Sequence, residues 1–203
     1  MRQRSLAALM VGATMSVVAC GGPSRTVTRE SPDKMRDLSG KWNDTDARLT
    51  SEALIKDAFS RPWLTNFKAQ QDRSPVVRVR RIVNKTDEHI DPQVFVKNIE
   101  RAMVNSGEVQ VLAQTGSELG SVNAEEDYAI SGRVGSNAPS VGNQKGADFV
   151  LVGRVASVVD RWEGRQTKFY KTTFELIDAT TGQKVWIGDH EIKKFIEQDR
   201  ASW

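Results

Sequence analysis

The sequence predicts an α/β domain in which a mixed sheet joins a strand-helix-strand unit to a three-strand antiparallel meander, with helices packed on the sheet. Three observations predict it. A β-branched run, Val76 to Asn84, is followed by a capped amphipathic segment and a second short β-branched run, Val109 to Ala113; that order is most simply a right-handed parallel crossover. Three long strand-like segments then follow one another, 148–160, 167–178 and 184–195, joined only by RWEGRQ and ATTGQ, and connectors this short make antiparallel neighbours. Finally, 203 residues with 38% hydrophobic and 27% charged content suffice for one modest core and are far too polar for a multi-span membrane protein.

The first element is not part of that domain. Arg2 and Arg4 precede a 13-residue apolar run, Leu6 to Val18, which is shorter than the roughly 20 residues of a membrane span and has the length and flanks of a signal-peptide core. The run ends in Val17-Val18-Ala19-Cys20 and is followed by Gly21-Gly22-Pro23, which resembles a bacterial lipobox. That resemblance implies cleavage before Cys20, a diacylglyceryl group on its thiol and an acylated amino terminus; several acyl chains hold a protein on a bilayer almost irreversibly. The other readings of Cys20 are a cysteine beside an ordinary cleavage site and a buried structural thiol. As the only cysteine it makes no internal disulfide and no Cys-based zinc site. Gly21 stands where retained inner-membrane lipoproteins carry Asp, so the expected location is the outer membrane, facing the periplasm. Cleavage removes two basic residues and no acid, so a net charge of +3 becomes +1, and nucleic acid is not expected as a partner.

The expected organisation is a signal peptide over 1–19, a lipidated terminus and flexible tether over 20–48, and one globular domain over 49–203. Residues 21 to 48 are polar, hold Pro and Gly, and show no apolar periodicity. Thr50 or Ser51 can cap a helix carrying Leu54, Ile55, Ala58 and Phe59, which Pro62 ends. Trp63, Leu64 and Phe67 read as anchors onto the domain, and Trp42 as core packing or an exposed contact. Val76 to Asn84 alternates with Arg78 and Arg80, a strand with one basic face. Asp91-Pro92 supplies an N-cap and N1 proline for a helix with Phe95, Ile99, Ala102 and Met103 on one side and Gly107 at its end. Residues 117 to 131 form a weakly amphipathic helix, and a short helix can lie in 132–146, opened by Asn137 or Ala138-Pro139 and closed by Gly146.

Signatures of catalysis are missing. No nucleophile elbow, HExxH or phosphate-binding GxxxxGK[ST] occurs, and Gly132, Gly135, Gly142 and Gly146 do not have dinucleotide-binding spacing. Two histidines, His89 and His190, are too few and too far apart in sequence for a histidine-based centre; His190 alternates with Asp189 and Glu191, which places it on the opposite strand face from both. Glu125, Glu126 and Asp127 on a helix, and Thr86-Asp87-Glu88 in a loop, read as solvated acids. No catalytic residue, metal ligand or cofactor is expected. Arg161-Trp162-Glu163-Gly164-Arg165 forms a hairpin tip whose Arg and Trp are the residue types that carry protein interfaces; the alternative for Trp162 is strand-edge packing.

Taken in order, the lipobox, the polar segment, DLSGKWNDTDARL, SRPWL, VVRV, DPQVFVKNIERAMVNSG, KGADFVLVGRV and TTGQKVWIGDHEIKK resemble the LpoB family, outer-membrane lipoprotein activators of class A penicillin-binding proteins. The resemblance runs from Asp37 to about Lys194. The Gly146-Ala147-Asp148 junction is similar also to curli-secretion lipoproteins and to the amino-terminal domain of TolB, which leaves an assembly or structural lipoprotein of an envelope or secretion complex as the alternative. The LpoB resemblance implies a non-catalytic regulator that docks on the bifunctional synthase and stimulates peptidoglycan synthesis. It implies a docking surface on the strand after the GAD junction and the next hairpin, with Val152 and Arg154 inside the matched stretch; Arg161, Trp162 and Lys168 join them on exposure and chemistry. In one respect the chain departs from the family: a long Pro-rich linker is missing, and the 30 residues from Cys20 to Thr50 reach at most about 100 Å.

Overall fold

A computed structural model describes residues 27–31, 34, 37–114, 116–131 and 144–197. The expected signal peptide, Cys20 and most of the expected short helix in 132–146 lie outside the described residues. Contacts divide the chain into two units, Met1–Lys34 and Met35–Trp203. In the first, Lys34 Nζ reaches Glu30 Oε1 at 3.1 Å. The second holds every helix and strand among the described residues: α1 (Asp44–Phe59), α2 (Pro62–Gln71), β1 (Val76–Lys85), α3 (Pro92–Ser106), β2 (Gln110–Val111), α4 (Ser117–Ile130), β3 (Phe149–Trp162), β4 (Arg165–Asp178) and β5 (Lys184–Glu197).

The sheet has the order β2-β1-β3-β4-β5. Strand β1 runs parallel to β2 and to β3, while β3, β4 and β5 form an antiparallel meander. This is the mixed α/β architecture expected from the sequence, and the differences are local. Helix α1 starts at Asp44 rather than near Thr50, because Asn43 Oδ1 accepts from the Asp46 amide at 3.0 Å and Asp46 Oδ2 accepts from the Asn43 amide at 3.0 Å, a reciprocal cap with Asp as its second member. Its first two turns bury Thr45, Ala47, Thr50 and Ser51, small residues that leave no large-apolar periodicity to read. Pro62 does not merely end α1: it occupies the first turn of α2, where a missing N–H costs nothing. Strand β2 is only two residues long, since the Gln114 amide donates to Glu118 Oε2 at 2.9 Å and the chain turns away into α4.

One face of the sheet is covered. Leu54 and Ile55 of α1, Trp63 of α2, and Phe95, Ile99 and Met103 of α3 pack with Val77, Val79 and Ile82 of β1, Leu151 of β3, Phe174 of β4 and Trp186 of β5 in a single core. Phe149 takes the edges of Trp63 and Phe67 at ring distances of 5.2 and 5.3 Å. Helix α4 buries no residue. The junction Gly146-Ala147-Asp148 has a mechanical reason to exist: Asp148 accepts two hydrogen bonds of 2.7 Å from the Arg73 guanidinium and one of 2.8 Å from the Val76 amide, locking the starts of β1 and β3 together. Hydrogen bonding to Arg73 holds its carboxyl below the usual carboxylate range.

Strand β1 needs an irregularity to work. Val77 and Val79 face the core at a two-residue period, so the next core position would be Arg81. The register shifts between Val79 and Ile82, a β-bulge that inserts one residue. Ile82 thereby takes the core position and is buried, while Arg80 and Arg81 are both exposed.

Candidate docking face

In β3, β4 and β5 the residues that alternate with the core positions form the second face. On β3 these are Val150, Val152, Arg154, Ala156, Val158, Asp160 and Trp162, and no helix buries its apolar side against them among the described residues. Large apolar groups stand open here: Trp162 is 69% exposed, Val158 66%, Phe195 64% and Ile187 54%. The register sets them in rows across the meander, Val152 with Glu175 and Ile187, Arg154 with Thr173 and Asp189, Val158 with Phe169 and Lys193.

A polar ladder runs through the middle. Thr173 Oγ1 donates to Asp189 Oδ1 at 2.6 Å, and Lys171 Nζ lies 3.0 Å from Asp189 and 3.3 Å from Glu191. The Thr173 hydrogen bond is the main reason the Asp189 carboxyl stays below its ordinary value, with help from Lys171 and Arg154 against the opposing effect of burial. Exposed aromatic side chains such as Trp162 and Phe195 are the residue types enriched at protein interfaces. Chemistry of another kind is not assembled: among the described residues no group of three or more His, Cys, Asp or Glu side chains is placed to hold a metal ion, and no helix is long and apolar enough to cross a membrane.

The five residues singled out from the sequence do not form one patch. Val152, Arg154 and Trp162 share the open face. Arg161 precedes Trp162 and therefore belongs to the other face, where its Nε donates to Gln166 Oε1 at 3.2 Å and it lines a groove of about 860 Å³ with Lys41 and Gln166. Lys168 is buried; its side chain is 7% exposed and pairs with Glu88, itself 9% exposed. An exposed docking role for Lys168 is therefore corrected by the structure: its ammonium is used inside the domain. Both corrections follow from strand alternation through the hairpin. The tip itself has positive φ at Glu163 (44°) and Gly164 (81°), the two-residue turn whose twist matches a hairpin.

Glu88, read from the sequence as a solvated loop acid, is the residue that sequence reasoning missed. Its carboxylate accepts from Lys168 Nζ, from the Tyr170 hydroxyl at 2.7 Å and from the Trp42 amide at 2.9 Å. Burial works to raise the Glu88 carboxyl, but these three donors outweigh it and hold it below its ordinary value; burial and then Glu88 push the Tyr170 phenol up. The Trp42 ring packs on Phe95 and Tyr170 at 5.2 and 5.3 Å. A second clamp lies beside it: Lys194 Nζ reaches Asp37 and Asp46, both at 2.6 Å, and the Lys41 carbonyl at 3.0 Å. Burial opposes the charge on Lys194, yet the two aspartates raise its pKa. Residues 37–43, expected as the end of a tether, are thus fastened to the back of β4 and β5. No local signal marks these long-range partners; the only hint was the dense polar motif DLSGKWND.

A family model described as the peptidoglycan-synthase activator LpoB matches residues 46–192. No curated protein matches the chain. Among solved structures it is similar to the C-terminal domain of LpoB from Salmonella enterica, at 15% identity and TM-score 0.40, covering 75% of this chain and 99% of that one. The corresponding domain from Escherichia coli matches at 12% identity and TM-score 0.40, covering 73% and 99%. Lipoprotein GNA1162 from Neisseria meningitidis matches at 15% identity and TM-score 0.38, covering 63% and 88%.

Proposed function

Because the chain belongs to the LpoB family of peptidoglycan-synthase activators, whose members are not enzymes, we propose that it is a lipid-anchored periplasmic regulator that binds and activates a class A penicillin-binding protein. The observation that carries the reading is the family match over residues 46–192. The open face of the meander supports it by leaving Trp162, Val158, Phe195 and Ile187 exposed. Cys20 is the proposed lipid attachment site and the outer membrane, facing the periplasm, the proposed location.

Val152, Arg154 and Trp162 are the proposed contacts, with Arg161 at the rim. Lys168 contributes indirectly by fixing the strands that display them. A regulator without catalytic groups changes an enzyme's rate by binding one of its conformations more tightly than another, so activation here is a shift in the synthase population. The tether sets a geometric condition. Sixteen residues lie between Cys20 and Asp37, a span of at most about 60 Å if fully extended, so the synthase has to present its docking site within that distance plus the length of the domain.

The deciding experiment adds the acyl-free domain to a purified, detergent-solubilised class A synthase from the same source and follows glycan polymerisation and cross-linking. Binding with a rise in rate supports the proposal. Absence of both overturns it.

A further inference from the structure

We propose that the exposed cations of β1, with Arg154 of β3, form a ridge that is the positively charged half of the docking interface, and that the synthase meets it with an acidic surface. The inference rests on the synthase-activator reading and adds the chemistry of the partner's side.

Within eight residues β1 carries Arg78, Arg80, Arg81 and Lys85, and none of the four makes an ion pair with an acid among the described residues. Several cations elsewhere in the domain are paired with acids: Arg73 with Asp148, Lys97 with Glu100, Lys171 with Asp189, Lys184 with Glu175 and Lys194 with two aspartates; what sets β1 apart is four unpaired cations within one strand. Arg78 is half-buried with its Nε inaccessible to solvent, so it adds positive charge to the ridge without offering that nitrogen to a partner.

The bulge is what makes the ridge. Without it Arg81 would point into the core; with it two consecutive arginines are exposed beside each other while Val79 and Ile82 stay buried. Arg81 and Lys85 line a groove of about 380 Å³ with Val83, Val152 and Arg154, so the ridge is continuous with the open face that carries the family's docking strand. The one carboxylate lining that groove, Glu175, is already bound by Lys184 Nζ at 2.8 Å. Unpaired like charges held side by side are unfavourable in isolation and become favourable against an acidic surface. Guanidinium groups in particular bind carboxylates in a two-pronged way.

The test uses the purified domain and the detergent-solubilised synthase, with affinity measured over a range of salt concentrations. Arg81→Glu/Lys85→Glu is expected to weaken binding about tenfold or more and to flatten the salt dependence, with thermal stability unchanged because neither residue has a partner to lose. Arg81→Lys, which keeps the charge, is expected to bind nearly as wild type does. Equal affinity of the charge-reversed and wild-type domains overturns the ridge while leaving the activator reading intact. No binding by the wild type overturns both. Ridge-dependent binding to phosphatidylglycerol vesicles, with ridge-independent binding to the synthase, overturns the proposal in favour of a lipid surface.

Discussion

Three donors converge on the Glu88 carboxylate, and replacing that group leaves the Lys168 ammonium buried without a counter-charge. Glu88→Gln is expected to lower the free energy of unfolding by about 3 kcal/mol, the usual scale for breaking a buried pair from one side, as read by urea denaturation. The pH dependence has a definite sign. The folded-state pKa of Glu88 lies below its ordinary value of 4.5, so on acidification the unfolded chain takes up the proton first. The stability contributed by Glu88 is fully present above pH 4.5 and is lost as the pH falls through the folded value. Lys194 has the opposite sense: its pKa is raised above the ordinary 10.5, so its contribution is present below that pH and lost as the pH rises through the folded value. The two together leave a plateau across neutral pH, and a melting temperature that falls between pH 8 and pH 6 would contradict this account. Trp162 is the contrasting case. At 69% exposed it supports little of the fold, so Trp162→Ala is expected to change stability by less than about 0.5 kcal/mol and to weaken synthase binding about tenfold or more, as an aromatic anchor does. Binding measured by calorimetry on a variant of unchanged melting temperature separates the two effects.

At the scale of the elements, the hairpin of β3 and β4 depends on its two-residue turn. Glu163 holds φ at 44°, a conformation that costs an ordinary L-residue roughly 1–2 kcal/mol and that Asn tolerates better. Glu163→Asn is therefore expected to stabilise the hairpin by about 1 kcal/mol, visible as a higher melting temperature. A lower one would mean that the Glu163 side chain makes a contact that outweighs the backbone strain. The bulge in β1 and the short β2 have the same origin: neither is set by local preference. The bulge is forced because Val79 and Ile82 must both reach the core, and β2 stops where Glu118 captures the Gln114 amide. Helix α3, by contrast, was readable from residue types alone. Asp91, Pro92 and Gly107 fix its ends, and each acts on its own neighbours.

For the whole molecule, the decisive feature is where the compact unit begins. Residues 37–48 carry the α1 cap, the Trp42 ring and both acids that hold Lys194. A chain beginning at Asp37 is expected to fold with the same melting temperature as one beginning at Cys20. One beginning at Leu49 is expected to lose cooperative unfolding, since it leaves Lys194 buried without either aspartate; a sharp transition in circular dichroism for that shorter chain would sink the prediction. The motifs that carried the family resemblance turn out to be mostly structural: Asp148 joins two strands, Asp178 Oδ1 accepts the Thr180 and Thr181 amides at 2.9 and 2.7 Å to form the β4–β5 turn, and Trp186 Nε1 donates to Asp57 Oδ2 at 2.8 Å. The sequence by itself determined the family, the α/β class, the order of the strands in the meander and the caps of α3, because periodicity, turn residues and capping act between near neighbours. Only the tertiary structure decided that Lys168 is spent on Glu88 and that residues 37–43 belong to the domain. Those outcomes depend on which distant side chain meets a buried charge, and a desolvated charge selects its partner in space, across 80 residues in the case of Lys168 and Glu88.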